Sequence, residues 1–126
     1  MVKNSKVWLF LACGAAVTLT VGCSSMKTPA TADVAVSAAA VDNAAGADGA
    51  QFAPVEMRMA REKLMRARKA MDDKDYKLAS DLANQAQADA KLAQGKADSA
   101  KAQIAAGALQ DDITALRGEL ERSSQP

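Results

Sequence analysis

The chain has no histidine and only four aromatic residues among its 126. The first absence removes the usual general base and the commonest metal ligand. The second removes most of the side chains that anchor an ordinary core. Trp8 and Phe10 lie in an N-terminal apolar stretch, which leaves Phe52 and Tyr76 for everything after it. The apolar share of 49% rests largely on alanine, which buries little area at roughly 25 cal/mol per Å² but is the best helix former. This composition argues against a conventional globular core and for a quasi-linear helical structure. A large excess of either charge is missing too. Without Lys3 and Lys6 the 16 basic residues become 14, against 15 acids. A nucleic-acid binder would carry a strong basic excess, so nucleic acid is not expected as a partner.

Catalytic groupings are equally scarce. Without histidine or a free mature thiol no nucleophile–base pair assembles, and there is no glycine-rich phosphate loop. The acidic pairs Asp72/Asp73 and Asp111/Asp112 are adjacent in sequence, so on a helix they face different directions. They read as turn and solvent-facing positions. The chain is expected not to be an enzyme and to hold no metal or cofactor. Of its two cysteines, Cys13 sits inside the apolar run and Cys23 closes it, so no disulfide is expected.

Residues 1–23 have the three parts of an export signal: a basic start (Lys3, Lys6), an uncharged run from Val7, and the small residue Gly22 before Cys23. The segment Thr20-Val21-Gly22-Cys23 resembles a lipobox, the motif cut by lipoprotein signal peptidase, although Thr20 stands where the motif prefers leucine. That resemblance implies cleavage after Gly22, with a diacylglycerol and an N-acyl chain carried covalently on Cys23. Two or more acyl chains anchor stably, at ~0.8 kcal/mol per buried CH₂. Ser24, in place of aspartate, resembles the outer-membrane address, so the expected place is the periplasmic face of the outer membrane. Two other readings stay open: an uncleaved anchor, though the run is short against the ~20 residues a span needs, and ordinary signal cleavage after Gly22 or near Ala30-Thr31-Ala32.

Residues 23–52 comprise the candidate lipidated cysteine and a low-complexity stretch of Ala, Ser, Thr, Asp and Gly without a sustained apolar period. It reads as a disordered tether. The pattern changes at Pro54, which suits the first position of a helix, with Glu56 near the positive end of its dipole. Ala53, Met57, Ala60, Leu64, Ala67 and Met71 recur at steps of four and three, as on an amphipathic helix. Asp75 is placed to cap a second helix. In that helix Ala79, Ala83, Ala86, Ala90, Ala93, Ala97, Ala100 and Ile104 keep the four-three spacing. A shifted seam resumes at Leu109, Ile113, Leu116 and Leu120, as a stutter does in a coiled coil. The expected fold is all-α: an antiparallel helical hairpin, an alanine-rich coiled coil over residues 53–122, with a disordered tail at 123–126.

The segments Phe52-Ala-Pro-Val-Glu-Met-Arg-Met-Ala-Arg-Glu-Lys-Leu64, Asp73-Lys-Asp-Tyr-Lys-Leu-Ala79 and Ala83-Asn-Gln-Ala-Gln-Ala-Asp-Ala-Lys-Leu-Ala93 together resemble the bacterial lipoprotein family called domain of unknown function 4398, over roughly residues 51–122. The resemblance implies an envelope lipoprotein of unknown biochemical role and brings no catalytic residues.

Two surfaces remain as functional candidates. The first helix carries Arg58, Arg61, Lys63, Arg66, Arg68 and Lys69 against Glu56 and Glu62, which would suit anionic envelope polymers such as lipopolysaccharide or peptidoglycan. The plainer reading is a solvated face. The second candidate follows from length. The first helix is too short to cover the second beyond about residue 93, at 1.5 Å per residue. Ala97, Ala100, Ile104, Leu109, Ile113, Leu116 and Leu120 would then lie open, as a site of self-association or for a protein partner, unless the chain bends near Gly95 or Gly107 to cover them. The alanine zipper and lipid anchor also resemble murein lipoproteins. Those attach to peptidoglycan through a C-terminal lysine, which Ser123-Ser124-Gln125-Pro126 lacks, so no covalent peptidoglycan link is expected. The function expected is that of a non-catalytic structural or interaction module.

Overall fold

The computed structural model describes residues 26–125. The expected export signal, Gly22 and Cys23 fall outside them. Among the described residues four helices follow one another: α1 (Lys27–Gly46), α2 (Gly49–Phe52), α3 (Pro54–Asp72) and α4 (Tyr76–Ser123). The all-α class and the antiparallel hairpin are as the sequence implies, with α3 and α4 as the two expected helices. Pro54 opens α3. The Asp75 side chain caps α4 by accepting from the Leu78 amide at 3.1 Å. Between them Lys74 turns the chain in the left-handed conformation, at φ 61°.

The stretch expected to be a disordered tether is instead mostly helix. Residues 27–46 form α1, which packs along both α3 and α4. The reason lies in Ala30, Val34, Ser37, Val41 and Ala44, which repeat at steps of four and three. Four of them are buried and Val34 is half-buried. They are small, so they add little to an apolar profile, yet they form a continuous seam. Pro29 stands in the first turn of α1, where its missing N–H would have had no intrahelical acceptor.

Three helices therefore lie side by side. Ala30 clusters with Ala70 and Ala79, while Val41 and Ala44 cluster with Met57, Ala60, Ala86, Ala90 and Ala93. Thus α1 runs parallel to α4 and antiparallel to α3. Of the sixteen buried apolar residues among the described ones, twelve are alanine, so the helices meet almost backbone to backbone and bury length rather than bulk. Met57 is the largest fully buried side chain among the described residues. Of the other methionines of α3, Met71 is half-buried at the bundle's end, whereas Met59 and Met65 are exposed.

Ion pairs edge the seams: Lys63 with Asp89 at 2.7 Å and Glu56 with Lys96 join α3 to α4. Asp48, in the left-handed turn after α1, meets Lys101 at 3.1 Å, and the Ser80 hydroxyl donates to Asp33.

The 48 residues of α4 are continuous through Gly95 and Gly107, about 72 Å at 1.5 Å per residue. The alternative that the chain bends there to cover its own stripe is not realised. The bundle ends near Lys101, and the rest of α4 projects beyond it. No helix among the described residues is long and apolar enough to cross a membrane.

Candidate interaction surfaces

The six basic residues proposed from the sequence do not form one surface. Lys63 is half-buried and committed to Asp89, so it fastens α3 to α4. Lys69 pairs with Asp73 one turn on, at 3.0 Å, with both side chains well exposed. Such a pair contributes little. Arg58, Arg61, Arg66 and Arg68 are exposed and form no ion pair among the described residues. At about 100° per residue, Arg68, Arg61 and Arg58 fall within ~80° of one another, on the flank of α3 away from Glu56 and Lys63. Arg66 lies a further ~80° round. Beside Arg58 and Arg61, Ala50, Pro54, Met57 and Met65 line a shallow groove, with Glu62 at its edge. The flank offers arginine donors beside an open apolar floor.

On the opposite flank, the Glu56 carboxyl accepts from the Lys96 ammonium. That hydrogen bond, with a further one from its own backbone, holds the Glu56 carboxyl below the usual carboxylate range. Glu56 and Lys63 are thus tied to α4, whereas the arginine flank faces outwards.

The apolar series expected to lie open on α4 divides in two. Ala97 is fully buried and Ala100 half-buried. The sequence expectation that both lie open holds only if α3 alone covers α4. The end of α1 and its turn extend the bundle further, as the Asp48–Lys101 contact marks. Beyond it the side chains are open. Ile104 is 62% exposed, Leu109 60%, Leu116 59% and Leu120 68%, with Ile113 half-buried. The five-residue step from Ile104 to Leu109 rotates the stripe by about 140°. Leu109, Ile113, Leu116 and Leu120 thus lie on a different side of α4 from the seam that grips α1 and α3. Near the tip, Leu116, Leu120, Glu119 and Ser123 line a second shallow groove.

Sequence reasoning missed α1 and the acids Asp33, Asp48 and Asp89 that tie it and α3 to α4. The four-three spacing of Ala30, Val34, Ser37, Val41 and Ala44 was the available signal.

The family model described as Domain of unknown function (DUF4398) matches residues 32–109. The span takes in most of α1, all of α2 and α3, and α4 as far as Leu109. It begins earlier and ends earlier than the 51–122 expected from the residue pattern, so α1 belongs to the matched domain. No curated protein matches the chain, and no solved structure does.

Proposed function

The chain belongs to the family described as a domain of unknown function (DUF4398), and from that premise we propose that it is a non-catalytic interaction lipoprotein of the bacterial envelope. In this reading Cys23 carries the acyl chains at the periplasmic face of the outer membrane, and the far end of α4 makes the functional contact. The observation that carries the interaction role is the apolar stripe from Leu109 to Leu120, left open on a helix that continues beyond its own bundle. Large exposed apolar patches mark interaction sites.

The parallel course of α1 and α4 gives this reading a direction. Only Ser24, Ser25 and Met26 separate Cys23 from α1, at most ~3.6 Å each. The start of the bundle would sit close to the lipid, and the tip of α4 about 70 Å from that end. Two measurements test the reading together. Intact mass spectrometry of membrane-extracted protein should show an N-terminus at Cys23 with about three acyl chains, and Cys23→Ala should abolish them. A photo-crosslinker at Leu116 in intact cells should capture a protein contact that Ile113→Asp removes. An unmodified Cys23 in the mature protein would overturn the anchor, and an empty crosslink would overturn the interaction role.

A second reading is supported by Arg58, Arg61, Arg66 and Arg68, exposed and without an ion-pair partner among the described residues: binding of anionic envelope polymers such as lipopolysaccharide or peptidoglycan. It requires binding that weakens steeply as salt rises and that is lost on Arg58→Glu with Arg61→Glu.

A further inference from the structure

Resting on the interaction reading above, we infer that the occupant of the α4 stripe is a second copy of this chain. The two copies pair as a parallel, in-register, two-stranded coiled coil over residues 102–123. The stripe is longer than its large side chains suggest. Ala102, Ala106, Leu109, Ile113, Leu116 and Leu120 follow one another at alternating steps of four and three, which makes three consecutive heptads. Ala106, Ile113 and Leu120 occupy a positions, and Ala102, Leu109 and Leu116 occupy d positions. Ile113 at a, between Leu109 and Leu116 at d, is the combination of β-branched residue and leucine that favours two parallel strands.

Charge selects the same arrangement. In a parallel pair, each g position faces the e position five residues further along the partner helix. Asp112 is at g and Arg117 at e, so each copy's Asp112 meets Arg117 of the other, twice per dimer. The remaining flanking pairs, Ala105 with Gln110 and Glu119 with Ser124, carry no repulsion. An antiparallel pair centred between Ile113 and Leu116 would set g against g, bringing Asp112 against Glu119 twice. Like charges there disfavour it.

Geometry leaves room for the partner. The stripe lies beyond Lys101, where the bundle ends, and about 140° round α4 from the buried seam. A second helix therefore meets neither α1 nor α3. The segment is already helical as the continuation of a packed helix, so pairing pays no helix-nucleation penalty. Ile104 ends the bundle seam and faces elsewhere, so it takes no part.

Disulfide trapping in intact cells expressing the full chain tests the assignment, with the parent chain and its own cysteines as background. Leu116→Cys should give, on mild oxidation, a linked species at twice the chain's mass. Thr114→Cys, on the outer side of the same turn, should give no more than the parent. Asp112→Arg and Arg117→Asp, each introduced with Leu116→Cys, should weaken dimerisation roughly tenfold, and the two together should restore it. Equal trapping at positions 114 and 116, or none at either, overturns the coiled coil. Failure of the double reversal to recover overturns the parallel register. A product of Leu116→Cys with a different protein alone overturns the second copy while leaving the interaction reading intact. The anchor is read separately from the mass of the N-terminus at Cys23, so its failure leaves these outcomes unchanged.

Discussion

Replacing Ala86 by leucine tests whether the bundle depends on the smallness of its seam. Ala86 is fully buried in one cluster with Ala90 and Ala93 of α4, Met57, Ala60 and Leu64 of α3, and Val41 and Ala44 of α1. Leucine adds three carbons at the point where all three helices meet. Because most neighbours are alanines, they have no side-chain length to swing aside, and the room must come from moving a helix axis. Overpacking of this kind costs about 1–3 kcal/mol. The upper end is expected, since moving one axis also opens the contacts at Ala83 and Ala90. For a helical domain of this size, each 1 kcal/mol lowers the melting temperature by roughly 4–8 °C. Ala86→Leu should therefore melt about 10–20 °C below the parent, followed by circular dichroism. Ala115→Leu, on an exposed turn of α4, should stay within ~0.5 kcal/mol. An Ala86→Leu protein as stable as the parent would refute the close approach of the helices.

Ser37 is fully buried and its hydroxyl has no hydrogen-bond partner among the described residues; Ser37→Ala should raise stability by about 1 kcal/mol in urea titration. At Gly49 an added Cβ would come within 2.6 Å of the Ala44 carbonyl oxygen and 3.1 Å of Met57 Cγ. Gly49→Ala should destabilise by about 1–3 kcal/mol, whereas Gly46→Ala, in open space within α1, should be neutral or stabilising in the same denaturation assay. The depressed carboxyl of Glu56 contributes stability that is present above its unfolded pKa and lost as pH falls through its folded value. Acid titration of stability should therefore be flatter in Glu56→Gln than in the parent below pH ~4.3.

The hairpin was legible because its signals are local. Pro54 and Asp75 mark helix starts by their own chemistry, and the α4 seam repeats often enough to stand out even in alanine. The helix α1 was not legible for a physical reason. Alanine is at once the residue of low-complexity tethers and the best helix former, and the small seam residues of α1 acquire meaning only against other small residues. The alanines of α4 from Ala79 to Ala97 make a contact broad enough for two neighbours, whereas the hairpin supplied one. Among the site residues, exposure of Leu109, Leu116 and Leu120 followed from helix length alone. The packing of Lys63 and Ala97 was not legible, because each depends on a partner from another element: Asp89 for the first, the end of α1 for the second.

The two seams of α4 solve different problems, and their contrast yields a last prediction. Within the bundle, alanine contacts are held together by chain connection and need little energy per residue. Between separate copies, association itself costs about 4–15 kcal/mol, so larger side chains are required. Leu109, Ile113, Leu116 and Leu120 supply them, at roughly 1–2 kcal/mol each for the surface still exposed. Eight such side chains per dimer give a total on the order of 10 kcal/mol, which implies a weak dimer favoured by copies held close together on one surface. The weak place is then Ala106, an a position filled by alanine. Ala106→Leu adds about 2 kcal/mol of burial per copy at ~0.8 kcal/mol per CH₂. With burial incomplete, the dimer should gain about 2–4 kcal/mol, a tightening of roughly 30- to 1,000-fold. Trapped dimer from Leu116→Cys should rise correspondingly when Ala106→Leu is added, and stay unchanged with Ala115→Leu on the far side of the helix. Equal gains from the two substitutions would mean that general stickiness, not the heptad stripe, drives the association.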